Sequence, residues 1–195
     1  INWLSASRFF LFGSRDVWFV VGLPVFLYEV LHWTFTQVGI FLALWVIGYG
    51  FVQAMAPKLI QRNNKKQLAG GSSARLWAFI LAFFPAAIAL GLQKGLPQEA
   101  VIITGLILFG IVFAINSAIH SFLILAYSDH DKVAMSVGFY YMANAGGRLA
   151  GTIISGLSYQ LYGLEGCLLW STAFVLAAAF LSFGLPELNN KRQED

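Results

Sequence analysis

Long apolar runs, separated by short polar or glycine- and proline-bearing stretches, set the pattern of this chain. Six of them, at about 9–31, 37–60, 75–93, 99–127, 133–162 and 164–185, are long enough to cross roughly 30 Å of hydrocarbon at ~1.5 Å per residue. None alternates with period two, and a backbone in lipid must satisfy its own hydrogen bonds, so each run predicts a helix. The first run contains Arg15 and Asp16. Without them only Val17–Leu31 would remain, too short to span, so the pair belongs within the span or at its shoulder. Adjacent residues leave a helix in different directions, so these two are not expected to neutralise each other face to face. Gly22 and Pro24 predict a kink one or two turns later, and Glu29 and His32 mark the exit. The second run carries Gly39, Gly48 and Gly50 and ends at Pro57–Lys58; the third has Pro85 at its middle and no charge, as a supporting or lipid-facing helix would.

The fourth run carries Asn116, Ser117, His120 and Ser121, with Asn116 and His120 sharing a face at i, i+4. The fifth holds the densest pattern, YYMANAGGRLAGTIISGLSY at 140–159. Ala143, Gly147, Gly151 and Ser155 recur every four residues, a small-residue stripe that admits a neighbouring helix at close range. Asn144, Arg148 and Thr152 form a second row at the same spacing, with Tyr141 nearby, so one face is polar. An arginine at membrane depth costs about 2.5–3.5 kcal/mol on insertion scales and therefore faces a cavity or a partner. The tight turn GLEG at 163–166 leads into a sixth, almost uniformly apolar run that ends before Pro186.

Composition agrees with this pattern. Of 195 residues 58% are hydrophobic and 11% charged, with mean hydropathy +0.72, against roughly 25% charged in soluble domains. The class is an all-α membrane protein. A net charge of +3 calls for no nucleic-acid partner, because the basic residues gather in a few loops. With six spans both termini share one face. That face collects Lys58, Arg62, Lys65, Lys66, Arg75, Lys132, Lys191 and Arg192 against Lys94 alone opposite, which places it in the cytoplasm, with a basic loop at about 61–74. Cys167 stands alone, so neither an intrachain disulfide nor a thiolate metal site is expected, and no cofactor is implied. Ile1–Ser7 does not resemble a signal peptide, and the chain reads as a fragment whose upstream half is missing. The absence of HExxH, CxxC or a phosphate loop after a strand argues against an enzyme.

A bundle of kinked apolar helices with an interior arginine and one basic loop between the second and third spans resembles half of a major facilitator transporter. That resemblance implies a 3+3 inverted repeat with the substrate site between two halves, the first and fourth helices lining the cavity and the second and fifth helping to form the interface between halves. The loop region APKLIQRNNKK lacks the acid of the superfamily's basic loop motif, so no gating role is carried over from it. Longer strings are more specific: SRDVWFVVGLPVFLYEVL (14–31), FLALWVIGYGFVQA (41–54) and NSAIHSFLILAYSDHDKVAMSVGFYYMANAGGRLAGTIISGLSYQLYGLEGC (116–167). They resemble the C-terminal half of the ArsJ organoarsenical efflux permeases of the inner membrane. The resemblance implies export of 1-arseno-3-phosphoglycerate, the product formed when glyceraldehyde-3-phosphate dehydrogenase uses arsenate in place of phosphate, and hence arsenate resistance.

Such a substrate is strongly anionic and needs fixed cations and hydrogen-bond donors; arginine offers a planar bidentate fork for oxyanions. Arg148 and Arg15 are the candidate cations, with His120, Asn116 and Asn144 as candidate donors and Asp16 as a counter-ion or coupling group. The alternative for Arg148 is a structural ion pair with Asp16; for His120, a bond to a neighbouring helix's backbone; for Asn144, helix packing. A single cysteine cannot hold trivalent arsenic, in keeping with a pentavalent ester recognised as a phosphate analogue. Competing readings are a facilitator for another organic anion or a drug, and a non-transporting membrane scaffold.

Overall fold

The computed structural model describes residues 1–62, 70–128 and 130–187. Among them there is helix and no strand: α1 (Asn2–Phe19), α2 (Gly22–Glu29), α3 (Phe35–Arg62), α4 (Gly71–Gln93), α5 (Gln98–Tyr127) and α6 (Val133–Leu181), with short 3-10 turns at His130–Lys132 and Ser182–Gly184. Five helices are long and apolar enough to cross a membrane: Asn2–Glu29, in which α1 and α2 are joined, Phe35–Ala56, Gly71–Gln93, Gln98–Tyr127 and Val133–Gly184. The last is interrupted where the fifth and sixth apolar runs were expected to part. Gly163, with φ 65° and ψ −161°, lies outside helical geometry, in a region open essentially to glycine alone. Residues 63–69 of the expected basic loop at 61–74, and Lys191 and Arg192, lie outside the described residues.

The largest departure from the sequence expectation is at the start of the chain. The first helix starts at Asn2 rather than near residue 9. Its opening turn carries Ser5 and Ser7, which lowers hydropathy, yet both are buried and the Ser7 hydroxyl finds partners inside the bundle. Ser7 donates to the carbonyl of Ala178 at 3.0 Å and lies 3.1 Å from the Ser182 hydroxyl. Helix α3 starts at Phe35, two residues ahead of the expected 37, because Thr34 and Gln37 form a capping box. The Thr34 N–H donates to Gln37 Oε1 at 2.8 Å, and the Gln37 N–H donates to Thr34 Oγ1 at 3.3 Å, satisfying donors that a helix start otherwise leaves free. The kink expected from Gly22 and Pro24 is present as the break between α1 and α2 at Val20–Val21.

The most extensive helix–helix interface joins α1 to α6. A Cβ at Gly147 would collide with the Phe9 carbonyl, and one at Gly151 with the Gly13 carbonyl. The small-residue stripe therefore lets two backbones touch. Ser155, the next member of the stripe, accepts the Gly22 N–H at 3.1 Å, holding an amide that the α1–α2 break releases. Helix α3 is more peripheral. It attaches to α5 through Trp45, whose ring lies against Gly110 and whose Nε1–H donates to the Leu106 carbonyl at 3.0 Å. The main core runs through Trp18, Phe109 and Phe113; a smaller core of Leu4, Ala74, Ile119, Leu123, Tyr140 and Leu185 sits at the end where the first residues and residues 182–187 meet. At that end Glu187 accepts from the Ser72 N–H and hydroxyl at 2.8 and 3.0 Å, and the Tyr127 hydroxyl donates to the Pro186 carbonyl. The start and the described end of the chain thus lie at one end of the bundle.

Candidate functional site

The buried charged groups, Arg8 and Asp16, centre two clusters along α1. The first is centred on Asp16, whose side chain is 1% exposed. Its Oδ2 accepts the Arg148 Nε–H at 2.9 Å, and its Oδ1 accepts the Arg15 Nε–H at 2.7 Å. The expectation that Arg15 and Asp16 do not neutralise each other is corrected here. The Cα–Cβ bonds of adjacent residues do diverge, but the long arginine side chain folds back along the helix and brings Nε to its neighbour's carboxylate. One carboxylate thus serves two guanidinium groups, leaving one net positive charge. Both arginines reach it through Nε, and among the described residues their terminal amino groups make no hydrogen bond. Arg148 is 53% exposed and Arg15 13%. The pairing that ties α6 to α1 therefore leaves two guanidinium forks for another acceptor.

The second cluster is centred on Arg8, which was not singled out from sequence. Arg8, 4% exposed, points Nη1 at the Ser117 carbonyl and hydroxyl, both at 3.2 Å. Its guanidinium carbon sits 3.8 Å from the Phe12 ring centroid and 4.8 Å from that of Tyr140, geometry in which π faces offset part of the cost of burying a cation. No carboxylate pairs with it among the described residues. Gln53 of α3 donates to the Ser117 hydroxyl at 3.3 Å and is partly exposed, so the cluster meets the molecular surface there. Asn116 and His120, the expected donors, flank Ser117 on α5, fully or almost fully buried. Among the described residues neither side chain has a hydrogen-bond partner, and Arg8 Nε has none either. His120 lies within the field of the Arg8 charge.

The expected residues therefore separate. Arg15, Asp16 and Arg148 meet in one cluster, while Asn116 and His120 belong to the other. Asn144 stands one helical turn before Arg148, partly buried, with its Oδ1 unpartnered among the described residues. Thr152, on the same row, donates to the Arg148 carbonyl of its own helix at 2.9 Å. Arg8 could have been found from its spacing. Arg8, Phe12 and Arg15 stand at i, i+4 and i+7 and so share a face of α1. Ser117 and Gln53 carry no such signal, because a serine or glutamine in an apolar helix becomes a site residue only through what it touches. A groove lined by Gln93, Tyr162, Glu165 and Trp170 lies beside the Gly163 break and shares no residue with either cluster. Among the described residues no group of three or more His, Cys, Asp or Glu side chains could hold a metal ion.

The family model described as the Major Facilitator Superfamily matches residues 4–193. No curated protein matches the chain.

Proposed function

Since the chain belongs to the major facilitator superfamily, whose members are transporters, we propose that it forms a six-helix half of an exporter for an organic oxyanion, 1-arseno-3-phosphoglycerate. The break at Gly163 supplies the sixth span, and the half is a 3+3 inverted repeat facing a second six-helix half across the substrate cavity. Both ends of the chain face the cytoplasm of the inner membrane. The observation that carries the anionic assignment is charge. Arg8, Arg15 and Arg148 lie within the spanning helices against one carboxylate between them, Asp16. An interior with surplus fixed positive charge favours an anion and opposes a lipophilic cation.

Arg148 and Arg15 grip one oxyanion of the substrate with the amino groups that Asp16 leaves free, and Asn144, one turn from Arg148, adds a donor. Asp16 holds both guanidinium groups in place between transport cycles. The specific substrate is the one implied by the resemblance of residues 14–31, 41–54 and 116–167 to arsenical permeases. It couples this transporter to glyceraldehyde-3-phosphate dehydrogenase, which forms the ester. Outward movement of an anion gains about 2.3 kcal/mol per charge for each 100 mV of inside-negative potential, so no proton need accompany it. Collapsing a pH gradient with the potential clamped leaves the rate unchanged; a rate that falls with the gradient refutes uniport.

The direct test uses everted membrane vesicles carrying the full-length transporter, supplied externally with the dehydrogenase, NAD, glyceraldehyde 3-phosphate and arsenate. Arsenic accumulates inside when all four are present, and Arg148→Gln abolishes the accumulation at normal expression. Accumulation equal to that of vesicles without the transporter overturns the assignment, and uptake of a lipophilic cation instead would make the protein a drug exporter.

A further inference from the structure

The two clusters stand on one face of one helix. Arg8 and Arg15 are seven residues apart in α1, a rise of ~10 Å, with the Phe12 ring between them, 3.8 Å from the Arg8 guanidinium carbon and 5.3 Å from that of Arg15. The Asp16 cluster carries one net positive charge and Arg8 carries a second that no carboxylate among the described residues offsets. A buried guanidinium costs several kcal/mol unless its charge and donors find acceptors. Ser117 accepts from one amino group alone, while Arg8 Nε, both ring nitrogens of His120 and the whole Asn116 amide are buried without a partner among the described residues. Native interiors leave few such groups, and those they do leave call for a specific explanation. Here two unsatisfied side chains, on the helix whose Ser117 receives Arg8, accompany one uncompensated and itself unsatisfied cation, a combination that fits an acceptor-rich, negatively charged group.

We propose that Arg8, with Asn116 and His120 as neutral donors, is a second oxyanion station, so that the protein selects substrates carrying an anionic group at each end: one group on Arg15 and Arg148, the other on Arg8. The station is reached from the side of Gln53, where the cluster meets the surface. Movement of Gln53 frees the Ser117 hydroxyl, and the anion takes over donors on Arg8 and the Asn116 amide. A three-carbon chain with an oxyanion at either end bridges two flexible guanidinium groups whose backbone positions are ~10 Å apart on the helix. A single phosphate occupies one station and leaves the other empty. This inference rests on the anion-transport reading and adds to it the number of anionic groups recognised.

The test compares two probes on the purified full-length protein, by ligand-induced thermal stabilisation: propane-1,3-diol bisphosphate, with a phosphate at each end, and inorganic phosphate, a single group. The wild type binds the two-headed probe at least about tenfold more tightly. Arg8→Gln removes that advantage, weakening the two-headed probe at least about tenfold more than inorganic phosphate, whereas Arg148→Gln weakens both probes. A merely structural Arg8 would, on substitution, weaken both probes together or neither, and either result overturns the inference while leaving anion transport standing. If the wild type is stabilised by neither probe and accumulates no arsenic ester in vesicles, the anion reading fails and the second station with it. Should Arg8→Gln not fold, Asn116→Ala decides the matter with every arginine in place. The proposal requires a reduced advantage of the two-headed probe over inorganic phosphate, and an undiminished advantage refutes it.

Discussion

Asp16 shows how much a single side chain can decide. It accepts one bond from its neighbour in sequence and one from Arg148, 132 residues away, so its removal strands two cations at once. Breaking a buried ion pair by deleting one partner typically costs ~3–5 kcal/mol, because the other charge stays behind uncompensated. Asp16→Asn is therefore expected to lower the thermal unfolding temperature in detergent sharply. Arg148→Gln is expected to cost about 1 kcal/mol or less, since Arg148 is 53% exposed and Asp16 keeps Arg15. Equal losses for the two variants would mean that the carboxylate is not shared as described. In the Asp16→Asn, Arg148→Gln double variant one stranded cation is gone, and part of the lost stability returns. Arg148 as a buried-helix cation in need of a partner was legible from sequence. Arg15 as a second claimant on the same carboxylate was not, because side-chain reach, unlike helical direction, does not follow from residue spacing.

At the scale of the helix, glycine does two different jobs, and substitution separates them. Gly147→Val or Gly151→Val places atoms where the Phe9 or Gly13 carbonyl stands. Either variant pushes α1 away from α6, withdraws Arg148 from Asp16, and is expected to leave little monodisperse protein on size exclusion. Gly48→Ala on α3 has nothing within 4 Å of the added carbon and is expected to be neutral or stabilising by up to ~1 kcal/mol through helix propensity. Gly163→Ala also has open space around it, yet its backbone conformation is one that alanine strongly disfavours. A loss of about 1–3 kcal/mol is expected, read as a lower unfolding temperature. If Gly163→Ala is neutral, the backbone there is not held in the conformation described. The stripe at 143–155 announced close packing through its four-residue period. Its partner could not be read, since any helix with a matching small surface would have served; Phe9 and Gly13 were selected by the fold.

Across the whole molecule, the end that gathers the first residues of the chain is closed by a polar clasp. Glu187 receives the Ser72 N–H and hydroxyl and sits 3.9 Å from Arg75, so a residue following α6 caps the start of α4. A carboxylate at a helix N-terminus and a side-chain acceptor for a free N–H each contribute about 0.5–1 kcal/mol. The ion pair with Arg75 adds little, because both groups are partly or largely exposed. Glu187→Ala is expected to lower stability by about 1 kcal/mol and to speed proteolytic nicking ahead of Gly71, while leaving ligand affinity unchanged. Unaltered proteolysis would show that the clasp does not restrain this end.

What the sequence determined alone is the membrane class, the positions of the apolar runs, the glycine break at 163, the kink near Gly22 and the close-packing stripe. All of these follow from hydropathy and backbone propensity, which act within a stretch of contiguous residues. What only the tertiary structure decided is which polar side chains share a neighbourhood. The candidates Arg15, Arg148, Asn116 and His120 divided into two clusters, and Arg8, which was not among those candidates, became the centre of one of them. Inside a low-dielectric bundle a charge is governed by whichever groups lie within a few ångströms, and those groups come from helices far apart in sequence. Hydropathy can therefore place a helix in the membrane without revealing what its buried arginine will face.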